Sequence, residues 1–142
     1  MIKFFLVFSM TLFTSLMASQ LQWADDLKSG IAQATKQNKP ILFIYSSHNC
    51  QYCVQLEEQA LSDQKVIESL NKDFVSVIAY ADEQDYVPQE LWRPGTPTIW
   101  FLDPSGRSLI KDPIMGAIDP ESFGKILDVV TREFEAVMEA RK

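Results

Sequence analysis

The feature that most constrains this fold is a continuous apolar run at residues 41–45, closely followed by a pair of cysteines. A short continuous apolar run is typical of a strand that is buried on both faces. After that run, Cys53, Leu56 and Ala60 recur at helical spacing. The pattern therefore predicts a buried strand, a turn and a helix, with Cys50 and Cys53 where the turn becomes the helix.

The rest of the chain alternates helical and strand patterns. Apolar residues at helical spacing, with acids in the first turn, predict a first helix from Trp23 onward. Residues 74–80 and 98–102 predict two further strands, and the turn at 103–106 predicts that residues 107–110 pair back antiparallel. Asp119 begins a last helix. Together these patterns predict an α/β fold with a central mixed β-sheet flanked by helices.

Length and charge narrow the class of protein. A chain of 142 residues has room for one ordinary core. Its 19 acidic and 13 basic residues give a formal charge of −6. That charge repels phosphate backbones and argues against general nucleic-acid binding.

The first 18 residues have the pattern of a secretory signal. Lys3 supplies a positive start, residues 4–16 are mainly apolar, and Ala18 offers a small residue for cleavage. We therefore expect an exported, periplasmic domain at residues 19–142. The alternative is an uncleaved membrane anchor, although the apolar part is shorter than the roughly 20 residues of a spanning helix.

The cysteine pair has the spacing and the position of a redox site. At a helix start, free backbone N–H groups and the helix dipole favour a thiolate, so we expect the pKa of Cys50 to fall below the usual value of about 8.5. Cys53 follows one helical turn later, where it can attack a mixed disulfide at Cys50. The pattern predicts that Cys50 is the nucleophile and Cys53 the resolving thiol.

Three other uses of the pair remain open. A structural disulfide would close so short a loop that it stabilises the fold little. A zinc site needs four ligands, and beyond the two thiols only His48 lies nearby in the sequence. A copper(I)-handling protein would bind the metal through both soft thiolates, assisted by a methionine or His48.

The second motif is Gly95-Thr96-Pro97-Thr98, directly before an apolar strand. Proline at a strand start marks a special backbone geometry because it cannot donate to the sheet. With Cys50-Gln51-Tyr52-Cys53, this loop makes the chain resemble the thioredoxin family over residues 39–127. The resemblance is greatest to exported single-domain members and to the C-terminal domain of DsbD-type transmembrane reductases.

That resemblance implies a thioredoxin-like fold with thiol-disulfide oxidoreductase activity. It places a cis Pro97 opposite the cysteines and assigns to the backbone of Thr96 the pairing with a substrate strand. It also implies a monomeric disulfide reductase that needs no cofactor, acts on disulfide-bearing proteins and takes electrons from a DsbD-type membrane donor. The short stretch between residues 45 and 74 leaves no room for the inserted helical domain of DsbA-like oxidases.

The chain departs from the family pattern at several places near the cysteines. Asn49 stands where thioredoxins usually have Trp, and Gln51-Tyr52 replaces their Gly-Pro. Ile44 occupies the place of a buried Asp that assists proton removal from the resolving thiol. Water or another acid must therefore take the proton of Cys53.

Several neighbouring residues have two interpretations each. His48, if protonated, would tune the pKa of Cys50; the alternative is a solvated loop residue. Tyr52 is either a substrate contact or a plain exposed aromatic. Adjacent acids Glu57 and Glu58 point in different directions on a helix and form no carboxylate pair. We expect Trp92 and Trp100 to lie in the hydrophobic core. We expect Asp82, Glu83 and Asp85 to lie in a solvated loop.

Overall fold

One mixed β-sheet of four strands organises the computed structural model, which describes residues 19–142. The predicted signal segment lies outside the described residues. The strands are β1 (Ile41–Ser46), β2 (Val75–Tyr80), β3 (Thr98–Leu102) and β4 (Ile114–Met115). In the order β2-β1-β3-β4, β1 is parallel to β2 and antiparallel to β3. The apolar run at residues 41–45 is thus a central strand, as predicted.

Helices cover both faces of this sheet. They are α1 (Leu27–Gln37), α2 (Gln51–Glu58), α3 (Gln64–Asp73) and α4 (Pro120–Ala140). An aspartate carboxylate accepts a backbone N–H bond at the start of three of them, α1, α3 and α4. No helix within residues 19–142 is long and apolar enough to cross a membrane.

The first helix begins later than the apolar spacing predicts. Asp26 is its N-cap and accepts a hydrogen bond from the Ser29 N–H at 2.7 Å. Trp23 therefore lies before the helix, where it forms a parallel bridge with Ser76 at the edge of β2. The spacing of Trp23 from Leu27 fits a helix, but the helix begins only after its N-cap residue, Asp26.

The alternation of β1 side chains divides the core between the two faces of the sheet. Leu42 and Ile44 pack in the cluster that includes Leu56 of α2 and Phe123 of α4. Ile41 and Phe43 pack on the opposite face with side chains that include Ala34 of α1. This arrangement confirms the predicted α/β fold and anchors α2 against the end of β1.

The prediction of a return strand at residues 107–110 is wrong, because these residues form no regular strand. The Leu109 N–H donates to the Phe101 carbonyl at 2.8 Å and the Asp103 N–H donates to the Arg107 carbonyl at 2.7 Å. These two bonds flank a single antiparallel bridge, Leu102 with Ser108. Ser108 Oγ donates to the Ile110 carbonyl at 2.6 Å and accepts its N–H at 3.2 Å, so local bonds compete with a ladder. The regular antiparallel partner of β3 is β4, which pairs with its first two residues.

Two glycines test how closely the helices approach their neighbours. Gly30 of α1 lies so close to β2 that an added Cβ would overlap Val77. We expect Gly30→Ala to lower the free energy of unfolding by about 1–3 kcal/mol, because overpacking strains a filled core. Gly124→Ala in α4 is the control, since its Cβ would meet nothing within 4 Å.

The control is expected to raise the free energy of unfolding by about 0.5–1 kcal/mol, since alanine favours a helix over glycine. Chemical denaturation of both variants measures the two effects. Equal stability changes in the two variants would contradict the close packing of α1 on β2.

Candidate active site around the cysteine pair

The cysteine pair lies where β1 ends and α2 begins. Cys50 is the N-cap of α2, and Cys53 lies in its first turn. Their sulfur atoms are joined as a disulfide, with the Cα atoms 5.2 Å apart. Cys53 is fully buried, at 0% exposure, whereas Cys50 is half-buried. Cys50 is therefore the sulfur that an incoming molecule can reach.

The start of α2 directs a hydrogen-bond donor at Cys50. The Cys53 N–H donates to Cys50 Sγ at 3.2 Å, and the Val54 N–H donates to the Cys50 carbonyl at 3.0 Å. A donor on Sγ favours a negative charge on that sulfur, and the helix dipole acts in the same direction. The position suits a leaving or attacking thiolate at Cys50.

The loop before β3 closes the other side of the pair. Its Thr96–Pro97 peptide bond is cis, and the Thr96 carbonyl oxygen lies 3.3 Å from Cys50 Sγ. The Gly116 N–H holds the loop by donating to the Pro97 carbonyl at 3.0 Å. The structure thus brings Thr96 and Pro97, which the sequence singled out, against Cys50.

His48 is tied to the end of the neighbouring strand. Its Nδ1 lies 2.9 Å from Asp82 Oδ2, and its backbone N–H donates to Asp82 Oδ1 at 3.0 Å. Its ring stacks on the Tyr80 ring, with the ring centroids 3.9 Å apart. The hydrogen bond to Asp82 raises the pKa of His48. In return, bonds from the His48 backbone and ring lower the pKa of Asp82 to about 2. Asp82 is exposed, in agreement with its prediction as a solvated residue, and it is in addition the ion-pair partner of His48.

A second polar cluster, absent from the sequence prediction, lies under α2. Glu57 accepts hydrogen bonds from Ser46 Oγ at 3.0 Å and from the Tyr80 hydroxyl at 3.3 Å. Burial and the charge of Glu57 raise the pKa of Tyr80 to about 12, so its hydroxyl stays protonated. We name these three residues the Glu57 cluster. The cluster forms because the parallel pairing of β1 with β2 brings the carboxyl ends of both strands to one edge of the sheet.

Exposed apolar side chains lie in the segments that form the site. Tyr52, in the first turn of α2, is 55% exposed and Met115 of β4 is 47% exposed. Trp92, 50% exposed, precedes the proline loop, so its assignment to the core is wrong. Trp100 is buried as predicted, and its Nε1 donates to the Leu91 carbonyl at 2.8 Å.

Within residues 19–142, no group of three or more His, Cys, Asp or Glu side chains could hold a metal ion. The two sulfurs are engaged with each other, and His48 is engaged with Asp82. The arrangement that the described residues do form is a reachable sulfur bonded to a buried one. Such a pair can exchange disulfides with another molecule.

Comparisons with known proteins agree with this geometry. The model of the thioredoxin-like domain family matches residues 27–131. Anterior gradient protein 3 of Mus musculus is 26% identical over 87 residues, which are 60% of this chain and 51% of that protein. The chain spans about half the length of the curated relatives it matches.

Solved structures share the same fold. A thioredoxin from Thermus thermophilus superposes with a TM-score of 0.69 at 28% identity, covering 87% of this chain and 96% of that one. The oxidised C-terminal domain of DsbD from Neisseria meningitidis gives a TM-score of 0.56 at 18% identity, covering 72% and 90%. The family match covers the sheet, the cysteine pair and the proline loop. The disulfide Cys50–Cys53 lies within the matched segment, and the chain belongs to the thioredoxin-like domain family.

Proposed function

We propose that this protein is an exported thiol-disulfide oxidoreductase that reduces disulfides in other proteins. The observation that carries the proposal is the asymmetry of the pair. Cys50 Sγ is reachable and accepts the Cys53 N–H bond, while Cys53 is fully buried behind it. A reachable stabilised sulfur and a hidden second one suit an attacking and a resolving thiol.

The cycle begins with both cysteines reduced. The Cys50 thiolate attacks one sulfur of a substrate disulfide, and the other substrate sulfur leaves as a thiolate. Deprotonated Cys53 then attacks Cys50, breaking the mixed disulfide and releasing the second substrate thiolate. The substrate gains two electrons, and the Cys50–Cys53 bond forms.

The substrate would lie along the proline loop. The proposal assigns backbone pairing with the substrate to Thr96, beside Cys50 Sγ, and apolar contacts to Pro97 and to the exposed ring of Tyr52. A polypeptide next to the Thr96 carbonyl would place its own sulfur within reach of Cys50. The proposed substrates are therefore disulfides in extended, accessible segments of proteins.

The connection between β1 and β2 supports reduction rather than oxidation, because it lacks the inserted helical domain of DsbA-like oxidases. Residues 47–74 hold α2, a short 3-10 turn and α3, all packed on the sheet, and contain no added domain. The proposed electron source is a DsbD-type membrane donor, in line with the resemblance in sequence motifs. Export rests on the pattern of residues 1–18.

Cysteine variants test the cycle directly. Cys53→Ser should accumulate mixed disulfides on Cys50, because no thiol remains to displace the substrate, whereas Cys50→Ser should form none. The measurement is non-reducing electrophoresis and mass spectrometry of protein trapped in a bacterial host, together with turnover of a disulfide substrate. Turnover by Cys50→Ser would contradict the proposal.

The same experiment tests export with a matched variant. Cys53→Ser made with residues 1–18 should trap periplasmic proteins, and the same protein lacking residues 2–18 should trap none of them. Identical adducts from both forms would remove the assignment to the periplasm while leaving the cysteine chemistry intact.

The direction of electron flow is tested by the reduction potential of the pair. We expect a value near that of thioredoxin, about −270 mV, rather than near the about −120 mV of the oxidase DsbA. Equilibration with a thiol redox buffer, followed by quantification of the two forms, gives the potential. A value near that of DsbA would leave the oxidoreductase assignment but reverse its direction.

Because the pKa of His48 is raised, the free energy of unfolding should depend on pH. Because the folded state favours protonated His48, the resulting stabilisation is present below the unfolded pKa of about 6.5 and is lost as pH rises through the raised value. Asp82→Asn removes the main cause, so the pKa of His48 should fall. Histidine NMR titration measures it.

Urea denaturation of the two proteins from strongly acidic to alkaline pH measures the matching effect on the free energy of unfolding. The wild type should be more stable than Asp82→Asn while His48 is protonated and Asp82 is ionised. This extra stability should be lost as pH falls through the lowered pKa of Asp82, about 2. It should also be lost as pH rises through the raised pKa of His48. An unchanged His48 titration in Asp82→Asn would show that the ion pair is absent in solution.

A further inference from the structure

One methionine lies against the proline loop, residues 95–98. Met115 of β4 is the register partner of Thr98, the first residue of β3. Its Sδ lies 3.3 Å from Thr98 Oγ1, and its methyl carbon would lie 3.5 Å from a Cβ placed on Gly95. Met115 thus covers both ends of the loop that holds the Thr96 carbonyl at 3.3 Å from Cys50 Sγ.

The hydroxyl of Thr98 has two acceptors but only one proton. Its Oγ1 lies 2.8 Å from the Gly95 carbonyl oxygen and 3.3 Å from Met115 Sδ. Because a thioether is a weak acceptor, the carbonyl takes the proton. That bond joins the first and last residues of the proline loop, and Thr98 has no exposed surface at which water could replace it. The bond therefore holds the loop closed.

The side chain of Met115 is open to solvent. It is 47% exposed, on the edge strand β4. Within residues 19–142 the only other methionine is Met138, near the end of α4, and it is half-buried. The two cysteines are joined in the disulfide, so the oxidised protein has no free thiol that competes for an oxidant. Of the sulfur-containing residues in this part of the chain, Met115 alone is exposed.

We propose that Met115 is an oxidation site through which a peroxide slows disulfide exchange at Cys50. The inference rests on the proposed function, because it concerns the rate of that same exchange. The thioether sulfur attacks one oxygen of hydrogen peroxide and becomes a sulfoxide, while the other oxygen leaves as water. The sulfur loses two electrons, and the peroxide gains them.

The sulfoxide changes which acceptor takes the Thr98 proton. Its oxygen is polar, whereas the thioether is a weak acceptor, and it forms on an atom that already lies beside Thr98 Oγ1. The Thr98 hydroxyl then donates to the sulfoxide, and the Gly95 carbonyl loses its partner. The Thr96 carbonyl between them no longer has a fixed position beside Cys50. Pairing of a substrate with Thr96 weakens, so exchange slows.

One attachment of the loop survives the oxidation. The Gly116 N–H donates to the Pro97 carbonyl at 3.0 Å, from the residue that follows Met115. We therefore expect a reduced rate rather than a loss of activity. Loss of one neutral hydrogen bond corresponds to a change of roughly two- to tenfold in an equilibrium or a rate.

The test oxidises the full chain in its disulfide form with hydrogen peroxide. Dithiothreitol then reduces the disulfide but leaves methionine sulfoxide in place, and after its removal the release of thiolate from an aromatic disulfide gives the exchange rate. Sulfoxide, located by mass spectrometry, should form at Met115 faster than at Met138. The exchange rate should fall roughly two- to tenfold as Met115 is converted. Methionine sulfoxide reductase should restore the rate.

Three variants, each compared with its own untreated form, separate Met115 from other targets. Peroxide should leave the rate of Met115→Leu unchanged, because leucine has no sulfur to oxidise. It should slow Met138→Leu as much as it slows the wild type. Thr98→Val removes the hydroxyl and keeps a β-branched side chain, so peroxide should convert Met115 there without slowing exchange.

Each outcome has a distinct meaning. Absence of exchange by the untreated wild type would overturn the proposed function itself. Normal exchange that persists after full conversion of Met115 would overturn only the role of Met115, as would faster oxidation of Met138. Equal slowing in Met115→Leu would show damage at another residue, and equal slowing in Thr98→Val would overturn the shared proton. The wild-type series of rate against sulfoxide content needs no variant, so it decides the matter even if a variant fails to fold.

Discussion

The site depends on one junction, where the buried strand β1 runs into the first turn of α2. Because β1 is central and its side chains fill both halves of the core, its end has a fixed position in the sheet. Cys50 caps the helix that starts there, and the Cys53 N–H bond to its sulfur follows from that cap. A strand without this burial would leave the cap, and therefore the reactive sulfur, without a fixed geometry.

The same edge of the sheet gathers the polar residues that surround the pair. Parallel pairing brings the end of β2 beside the end of β1, so Tyr80 meets His48 with its ring and Glu57 with its hydroxyl. The negative charge of Glu57 also favours protonation of His48, although less than Asp82 does. One tyrosine thus contacts the imidazole of His48 through its ring and the carboxylate of Glu57 through its hydroxyl.

How much was predictable follows from the range of each interaction. The strand at residues 41–45, the cap at Cys50 and the turn before α4 depend on neighbours in sequence, and local patterns predicted them. Asp82 meets His48, and Glu57 meets Tyr80, only because the β1–β2 pairing brings together residues more than 20 positions apart. Composition and spacing carry no information on that register, so the sequence predicts Asp82 only as a solvated loop residue and predicts no partner for Glu57.

The positions of Ile44 on β1 and Glu57 on α2 have an energetic reason. A carboxylate at Ile44, which has no exposed surface and lies among Leu42 and Leu56, would lose its hydration, and burial favours the protonated form. At Glu57 the carboxylate keeps part of its exposure and gains two hydroxyl donors. The strand interior therefore stays apolar at Ile44, and the acid at this edge of the sheet lies on α2, where partial exposure and two hydroxyl donors compensate for lost hydration.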